Sequence, residues 1–293
     1  MATVCVTGSS GFIGTHLVRA LLKRGDDVRV FDYPAQDLCC LGQAEDFIFD
    51  NQPEIVFHLA AQAVVTQEDD LVSLNTNIRG TYNLYHACLS CPSIESIVHV
   101  STDKVYGENE NAIPDSPLIG FSHPYETSKL CGDALAQMYA AYYRLPIRII
   151  RTGNIYGGGD LHEDRLIPQT IFATLEGRAV ALRSNGLFVR DYIYVQDLIP
   201  AYLKIATEPE GIYNLGGEPH AAIDVVLEIL RQMDRLDLVP VVLNNQHNEI
   251  SKQHVTGCPS WWKPAHSLQD GLQKTIAWYT GRLLKEFFDE HKG

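Results

Sequence analysis

The sequence predicts an α/β protein, with a Rossmann-type doubly wound parallel sheet and a smaller, mixed C-terminal lobe. Three observations lead to this prediction. Short β-branched runs alternate with longer amphipathic runs through the first half of the 293 residues, as in repeated βαβ units. The strand-like runs are nearly all apolar, which is typical of parallel strands covered by helices on both faces. A glycine-rich turn from Gly8 to Gly14 follows the first of these runs and opens a helix-like run.

The elements of the first half follow from these periodicities in chain order. Apolar runs predict strands over Thr3–Thr7, Asp27–Asp32, Glu54–Ala61, Ser96–Thr102 and Pro146–Asn154. Amphipathic runs predict helices over Ile13–Gly25, Leu74–Cys88 and Tyr125–Arg144. In the first of these helices Leu17 and Leu21 share one face with their apolar neighbours, and Gly25 is the expected stop.

The second half is more mixed than the first. Short strands are expected near Ala179–Leu182 and Asp191–Tyr194. Helices are expected near Leu166–Gly177, Gln196–Ala206, Ala221–Met233 and Leu268–Glu290. Because no low-complexity linker separates the halves, the second half is expected to form a lobe that rests on the sheet.

Composition excludes several classes of partner and location. The net charge is −13, from 23 Lys and Arg against 36 Asp and Glu, so the chain repels polyanions and no nucleic-acid partner is expected. No apolar run approaches the ~20 residues that span a bilayer, and no leader segment is apparent, so no membrane association is expected. Seven Cys without a secreted framework indicate reduced thiols and a cytoplasmic location. Cys88 and Cys91 have CxxC spacing, but no second Cys or His pair accompanies them, so no metal site is expected.

The glycine-rich turn predicts a dinucleotide cofactor. Gly8, Gly11 and Gly14 have GxxGxxG spacing directly after a strand, where they allow a tight turn and a close approach of the backbone to a pyrophosphate. The helix that follows presents unpaired N–H groups to the phosphates. Asp32 ends the second strand, 18 residues after Gly14, where a carboxylate accepts hydrogen bonds from ribose hydroxyls and repels a 2′-phosphate. The prediction is therefore NAD rather than NADP.

Two groups of polar residues predict acid–base chemistry. Tyr125 and Lys129 lie four residues apart on one helix face, where the ammonium favours the phenolate form of its neighbour. A tuned phenol can exchange a proton with a sugar hydroxyl. Thr102 ends a strand, where open α/β sheets bind their ligands. Asp103 and Lys104 follow at once, and from the residues alone they are either a solvated ion pair or a proton-transfer pair.

Motifs along nearly the whole chain resemble one known family, the extended short-chain dehydrogenase/reductases that act on nucleotide-sugars. The matching segments are TGSSGFIG, VFHLAAQ, NTNIRGTYNL, STDKVYG, PYETSK, RTGNIYGGGD, RDYIYVQD, IYNLGG and SLQDGLQKTIAWY. Within the family the motifs are most similar to CDP-glucose 4,6-dehydratases, which share Thr-Asp-Lys and a Gly-Gly-Gly-Asp followed by Asp-Arg-Leu-Ile-Pro. The resemblance implies that residues 1–155, with segments near 188–216 returning to them, bind NAD. Residues 156–293 would then form most of the substrate-binding lobe.

The resemblance implies roles for individual residues. The catalytic residues would be Thr102, Asp103, Lys104, Tyr125 and Lys129. The NAD contacts would come from Gly8, Gly11, Phe12, Ile13, Gly14, Asp32, Asp37, Leu38, Leu59, Ala60 and Ala61, together with Tyr125 and Lys129. The nucleotide-sugar contacts would come from Gln62, Thr102, Asn154, Arg165, Leu166, Pro168 and Arg190.

The Asp103-Lys104 pair implies which reaction the site performs. In a 4,6-dehydratase, oxidation at C4 acidifies the C5 proton, so the site needs a base for that proton and an acid for the departing C6 hydroxyl. Asp103 would be the acid and Lys104 the base. A 4-epimerase or 4-ketoreductase of the same family would use only Thr102, Tyr125 and Lys129, and a non-catalytic NAD-binding protein would use none of them. The leading expectation is an NAD-dependent nucleotide-sugar 4,6-dehydratase.

Two segments depart from the family pattern. Only 21 residues lie between Asp32 and Glu54, where relatives have a further strand and helix, so the sheet is expected to lose a strand. The segment 243–268 contains no Arg, so Arg190 or Arg165 would have to hold the diphosphate. The family also implies a homodimer that packs helices 74–88 and 125–144 of two copies into a four-helix bundle. Leu135, Met138, Tyr139, Tyr142 and Tyr143 offer more apolar surface than one core face needs, although they would alternatively cover the sheet.

Overall fold

The computed structural model describes residues 1–62, 70–121, 123–245 and 250–290, with the backbone alone at residue 70 and over 283–290. The chain divides into two compact units. The first unit consists of residues 1–152, 199–215 and 255–262. The second unit consists of residues 153–198, 216–254 and 263–293.

A six-stranded parallel sheet forms the centre of the first unit. Its strands are β1 (Thr3–Thr7), β2 (Asp27–Phe31), β3 (Ile55–His58), β4 (Ser96–Val100), β6 (Ile147–Thr152) and β10 (Gly211–Leu215). Their order is β10-β6-β4-β3-β1-β2. The order reverses direction between β1 and β3, so the carboxyl ends of these two strands border the crevice in which open α/β sheets bind ligands. The predicted α/β fold with a parallel central sheet is confirmed.

Helices cover both faces of this sheet, because each carries one apolar stripe. They are α1 (Phe12–Arg24), α2 (Leu41–Asn51), α3 (Asp70–Leu74), a π-helical turn (Asn75–Gly80), α4 (Thr81–Cys88) and α5 (Pro124–Tyr143). Helix α1 ends at Gly25, which has a φ of 89° that an L side chain rarely adopts. The core between helices and sheet includes Phe31, Phe47, Tyr85 and Tyr139.

The segment between β2 and β3 departs from the family pattern as expected. It contains helix α2 but no strand, and β2 is the edge strand of the sheet. The expected loss of a strand is confirmed, while the helix remains. Its apolar face is buried through Ala44, Phe47 and Ile48. The sheet therefore keeps helical cover next to its edge strand β2, although the segment between β2 and β3 contains no strand.

Two short elements follow β4 within the first unit. A 3₁₀ helix spans Asp103–Tyr106, and β5 spans Asn109–Ala112. The next long strand was predicted to run from Pro146 to Asn154, but the structure breaks it at Gly153. A Cβ at Gly153 would lie 2.6 Å from Cβ of Asp191, so only glycine allows this close approach. The residues after the break form β7 (Asn154–Tyr156) in the second unit.

The second unit combines a mixed sheet with helices. Its elements are β7, α6 (Leu166–Leu175), β8 (Ala181–Leu182), β9 (Val189–Tyr194), β11 (Glu218–Ala221), α8 (Ala222–Gln232), β12 (Val241–Val242), β13 (Lys252–Val255) and α9 (Leu268–Glu290). Strand β9 pairs antiparallel with β11 and parallel with β7 and β13. Helix α7 (Val195–Ile205) leads the chain from this unit back to the first. Buried Tyr156, Ile171, Leu272 and Tyr279 are part of the core of the unit.

Two further findings concern the chain as a whole. All seven cysteines are free thiols. Among the residues that the structure describes, no helix has the length and hydropathy needed to cross a membrane.

Candidate active site

The glycine-rich turn after β1 is closed tightly against its neighbours. Gly8 has a φ of 72°, and a Cβ added there would lie 2.7 Å from the backbone nitrogen of Ala60. A Cβ on Gly14 would lie 2.1 Å from the carbonyl oxygen of Gly8. Two of the three glycines are therefore required by contacts with backbone atoms. At Gly11 a Cβ would lie 3.3 Å from Gly8 O, a tight contact that a small adjustment of the turn could relieve.

The start of α1 fits a pyrophosphate. Gly11 is its N-cap and provides no side-chain hydrogen bond to the first N–H groups. The first turn has no acidic residue that would oppose an anion. Phe12 and Ile13 are its first two residues, so their N–H groups point out of the helix start toward the glycine turn. The phosphate contacts predicted for Gly11 to Gly14 stay a prediction, and the start of α1 is where they would be made.

Asp32 lies at the carboxyl end of β2, beside the same turn. Its Oδ2 accepts a hydrogen bond from the Ser9 hydroxyl, which fixes the carboxylate against the turn. Gly8 also donates its N–H to Phe31 O at 3.2 Å. Hydrogen bonds therefore connect the turn to Asp32, the residue predicted to bind the ribose. Asp37 and Leu38 were also predicted to contact NAD. Asp37 is exposed, whereas Leu38 is buried in the core next to Gly80. Of the two, only Asp37 is open to solvent.

The segment after β3 is anchored to strand β1 and to the π-helical turn. Leu59 and Ala60 donate their N–H groups to Thr7 O and Oγ1, at 3.1 and 3.2 Å. Gln62 exchanges two backbone hydrogen bonds with the buried Asn77 side chain, at 2.8 and 3.0 Å. Asn77 lies in the π-helical turn, a feature often found at functional sites. Leu59 to Gln62 thus border the crevice with their backbone held in place.

Helix α5 presents the predicted Tyr125-Lys129 pair near its N-terminus. His123 caps the helix by accepting the Tyr125 N–H at 3.2 Å, and Pro124 occupies the first helical position. The Ser128 hydroxyl accepts from Asn77 Nδ2 at 2.8 Å and donates to Tyr125 O at 2.7 Å. The helix start is therefore linked to the segment after β3 through Asn77.

Lys129 is buried and its ammonium group is bound to the sheet. Nζ donates to Val100 O, the end of β4, at 2.7 Å. Burial lowers the pKa of Lys129 from 10.5 to about 8, against an opposing effect of the Asp133 carboxylate. Lys129 is therefore poised to change its charge near neutral pH, which suits a residue that tunes an acid–base phenol.

Thr102, Asp103 and Lys104 form the start of the 3₁₀ helix after β4. Thr102 is the N-cap, and its Oγ1 accepts from the Lys104 N–H at 3.4 Å and donates to Asp103 Oδ1 at 3.1 Å. The Asp103 side chain is 2% exposed, and Lys104 Nζ lies 3.6 Å from its Oδ1. Within the described parts of the chain, Oδ2 of Asp103 is buried without a hydrogen-bond partner. One oxygen of this carboxyl group therefore has a hydrogen-bonding capacity that the described residues do not use.

The remaining predicted residues lie in the second unit. Asn154 begins β7 and is paired with Tyr192 of β9. Arg165 makes a two-fold contact with Asp160, with Nη1 3.1 and 3.0 Å from the carboxylate oxygens. Leu166 and Pro168 start helix α6, and Pro168 is buried. Arg190 is buried and donates to the backbone carbonyls of Val189 and Ile250, at 2.8 and 2.6 Å.

Sequence reasoning missed a set of buried polar residues in the first unit. His58 and His99 stand in register on β3 and β4, and their rings lie 5.5 Å apart. Burial lowers the pKa of both imidazoles well below the usual value, so they are neutral. Asp133 and Arg151 form a buried ion pair at 2.7 Å. The sequence contained a signal for these buried residues, because they are polar residues within apolar patterns. Asp133 also follows Lys129 by one helical turn.

The residues of the first unit fit NAD. Gly8 and Gly14 allow the turn to pack closely on its neighbours, α1 offers uncapped N–H groups, and Asp32 stands beside the turn for the ribose. The carboxyl ends of β1, β3 and β4 then direct Gly8, Leu59 and Thr102 toward the same edge of the sheet. Such a set is typical of a dinucleotide-dependent enzyme.

Comparison with known proteins identifies the class. Residues 4–216 match the NAD dependent epimerase/dehydratase family, and the chain belongs to this family. The predicted resemblance to nucleotide-sugar epimerases and dehydratases is therefore confirmed, as is the prediction of NAD, since the family is NAD-dependent.

Individual relatives cover nearly the whole chain. Escherichia coli dTDP-glucose 4,6-dehydratase 1 is 28% identical over 94% of this chain and 92% of its own. Thermus thermophilus UDP-glucose 4-epimerase, solved in complex with NAD, superposes with a TM-score of 0.86 and 28% identity over 95% of this chain and 99% of its own. Bacillus anthracis dTDP-glucose 4,6-dehydratase, also solved with NAD, gives a TM-score of 0.84 and 25% identity over 96% and 97%.

Proposed function

We propose that this protein is an NAD-dependent nucleotide-sugar 4,6-dehydratase, which converts a nucleotide-hexose into its 4-keto-6-deoxy form. The observation that supports this proposal is the buried Asp103 carboxyl group beside Thr102. One of its oxygens has no hydrogen-bond partner among the described residues, and the Lys104 amine nitrogen lies 3.6 Å from the other. Elimination of water needs such an acid beside a base, whereas inversion at C4 does not. Relatives named dTDP-glucose 4,6-dehydratase at 27–28% identity support the same reaction class.

The residues divide into a redox group and an elimination group. Tyr125 takes the proton from the C4 hydroxyl, Lys129 favours the phenolate, and Thr102 orients that hydroxyl. NAD, held by the glycine turn and Asp32, would supply the hydride acceptor for C4 and the hydride donor for C6. Lys104 removes the C5 proton that the 4-keto group acidifies, and Asp103 protonates the departing C6 hydroxyl. The protonated Lys104 then returns a proton to C5 when C6 is reduced. The product leaves with one water fewer, while the cofactor ends as it began.

Further residues are proposed to recognise the substrate. Gln62 is proposed to border the sugar, and Asn154, Leu166 and Pro168 the nucleotide. Arg190 is proposed to hold the diphosphate, since segment 243–268 provides no Arg. Arg165, which is 36% exposed and paired with Asp160, is the second candidate for this contact.

The decisive experiment is mass-resolved turnover with CDP-, UDP-, dTDP- and GDP-hexoses in the presence of NAD. A dehydratase gives a product 18 Da lighter, with a 4-keto group and a methyl group at C6. Inversion at C4 with no loss of mass, on any of these substrates, would contradict the proposal.

A second candidate function is a nucleotide-sugar 4-epimerase or 4-ketoreductase. The fold similarity to the Thermus thermophilus UDP-glucose 4-epimerase favours it, because Thr102, Tyr125 and Lys129 suffice for that chemistry. An epimerase returns the hydride to C4, so Asp103 and Lys104 would have no reacting atom to serve. The Asp103→Asn variant therefore distinguishes the two functions.

We also propose that the protein forms a homodimer through α4 and α5. Tyr139 is buried in the core and covers the sheet, but Met138, Tyr142 and Tyr143 are exposed. Tyr82 of α4 contacts Tyr139 at 6.4 Å between ring centroids, and Tyr139 stacks on Tyr143 at 5.0 Å. Exposed Tyr82 on α4 and exposed Tyr142 and Tyr143 on α5 thus lie around the buried Tyr139, and a second copy would bury them in a two-fold four-helix bundle.

A further inference from the structure

We propose that the buried Arg151–Asp133 pair is a positioning device that joins the segment Ser101–Tyr106 to helix α5. This inference rests on the proposed function, because the segment bears Asp103 and Lys104 and the helix bears Tyr125 and Lys129. The pair touches neither group of reacting atoms and acts through the segments that carry them.

Asp133 is saturated with hydrogen bonds from three directions. Its Oδ2 accepts from Ser101 Oγ at 2.7 Å and from Arg151 Nε at 2.8 Å. Its Oδ1 accepts from Arg151 Nη2 at 2.7 Å and from Gln137 Nε2 at 2.8 Å. The first of these bonds holds the residue directly before Thr102. One helical turn of α5 separates Asp133 from Lys129, so the carboxylate fixes the end of β4 relative to the lysine.

Arg151 extends the connection to the far end of the 3₁₀ helix. Its Nη1 donates to the Tyr106 phenol at 2.9 Å and to Pro114 O at 3.0 Å. The guanidinium also lies 4.8 Å from the centre of the Tyr106 ring. Tyr106 in turn donates to Asn214 Oδ1 at 2.7 Å. Both ends of the segment, Ser101 and Tyr106, are therefore bound to the same ion pair.

The titratable groups around Lys129 also influence its charge. Lys129 is faced by His58 on β3, His99 on β4 and Asp133 on its own helix. Burial lowers the pKa of both imidazoles well below the usual value, so neither carries a charge. The charge of Asp133 consequently favours the ammonium form of Lys129, and the same carboxylate holds Ser101 in place.

A merely structural ion pair would look similar in a static structure. Replacement of both members by apolar residues of similar size is often neutral for folding, whereas loss of one member leaves a buried charge. The paired variant Asp133→Leu with Arg151→Met is therefore expected to fold. A positioning role predicts that this variant loses turnover, because misplacement of a catalytic group by about 1 Å costs roughly 100-fold in rate.

The first test is the single variant Tyr106→Phe, which removes one hydroxyl and leaves the ring in place. Its matched control is Tyr202→Phe, since the buried Tyr202 phenol takes no part in the described hydrogen bonds of this network. We expect hydrogen exchange over residues 101–107 to accelerate in Tyr106→Phe and not in Tyr202→Phe. We also expect kcat to fall about tenfold or more, with KM and NAD affinity within about threefold of wild type. Unchanged exchange together with unchanged kcat would overturn the proposal.

The second test is the paired variant, measured by kcat as a function of pH. This variant lacks the Asp133 carboxylate, which raises the pKa of Lys129, so the alkaline fall in kcat is expected to move to lower pH. A folded variant with wild-type kcat and an unchanged pH profile of kcat would show that the pair has only a structural role. If the wild-type protein dehydrates no nucleotide-hexose, the proposed function fails, whereas hydrogen exchange still decides whether the pair orders residues 101–107.

Discussion

Lys129 is a buried ammonium group whose charge opposes folding. Its pKa falls from 10.5 to about 8 because burial disfavours the charged form. At pH 7 the folded protein must keep the proton in a desolvated position, while the unfolded chain keeps it in water. Between pH 8 and 10.5 the unfolded state binds more protons than the folded state, so stability contributed by this residue rises with pH.

This linkage gives the first prediction. We compare the free energy of unfolding of wild type with that of Lys129→Met. The difference, wild type minus variant, is expected to increase by roughly 3 kcal/mol from pH 7 to 10.5, because one pKa unit corresponds to 1.36 kcal/mol. Urea denaturation of both proteins at the two pH values measures it, and tyrosine and cysteine titrations cancel because both proteins contain them. A difference that does not change with pH would show that Lys129 is not desolvated.

The second prediction concerns Asp103. In Asp103→Asn the amide cannot protonate the departing hydroxyl, so formation of the 4-keto-6-deoxy product is expected to slow by about 10²–10⁴-fold. Oxidation at C4, followed as a rise in NADH absorbance, is expected to continue. The same substitution at the exposed Asp115, in the loop that follows β5, is the control. Full-rate turnover of Asp103→Asn would instead support the epimerase.

At the scale of elements, the start of α1 depends on one glycine. A Cβ on Gly14 would lie 2.1 Å from Gly8 O and 2.7 Å from Ser9 Cα. Both atoms belong to the backbone of the turn, so relief of the overlap must move the turn itself. The N–H groups at the start of α1 would move with it.

The third prediction follows from this contact. Gly14→Ala is expected to weaken NAD binding by more than tenfold, measured by titration calorimetry. Gly42→Ala is the control, because a Cβ at that exposed position of α2 meets nothing within 4 Å. This control is expected to keep NAD affinity and to gain up to about 1 kcal/mol of stability from helix propensity. Equal NAD affinity in the two variants would contradict the assigned role of the turn.

At the scale of the whole molecule, the exposed aromatic surface on α4 and α5 predicts association. Tyr142 is 77% exposed, and its ring packs edge-on against Tyr143 at 4.9 Å. Four-helix packing of two copies would remove this surface from water.

The fourth prediction tests that surface. Tyr142→Asp is expected to convert the dimer into a monomer in analytical ultracentrifugation, since a carboxylate buried at a two-fold interface faces its own copy. Leu187→Asp is the control, because Leu187 is 65% exposed and lies in the second unit. A monomeric wild-type protein, or a dimeric Tyr142→Asp variant, would contradict the four-helix bundle.

Much of the fold was predictable because local periodicity determines it. The apolar runs at Thr3–Thr7 and Ser96–Val100 became buried parallel strands, and the stripe of Leu17 and Leu21 became the buried face of α1. The break at Gly153 was not predictable, because its cause is the close approach of Asp191 from a distant part of the chain. The helical run over 74–88 contains a π-helical turn for which periodicity gave no signal.

The sequence by itself determined the glycine turn, Asp32, the Thr102-Asp103-Lys104 segment and the Tyr125-Lys129 spacing, because each depends on neighbours within one turn or one strand. Only the tertiary structure decided how Arg151 meets Asp133 and Tyr106, and that Lys129 is desolvated against Val100 O. These contacts join residues 18 to 45 positions apart. The physical reason is that desolvation and ion pairing depend on which elements pack together, and local sequence patterns do not contain that information.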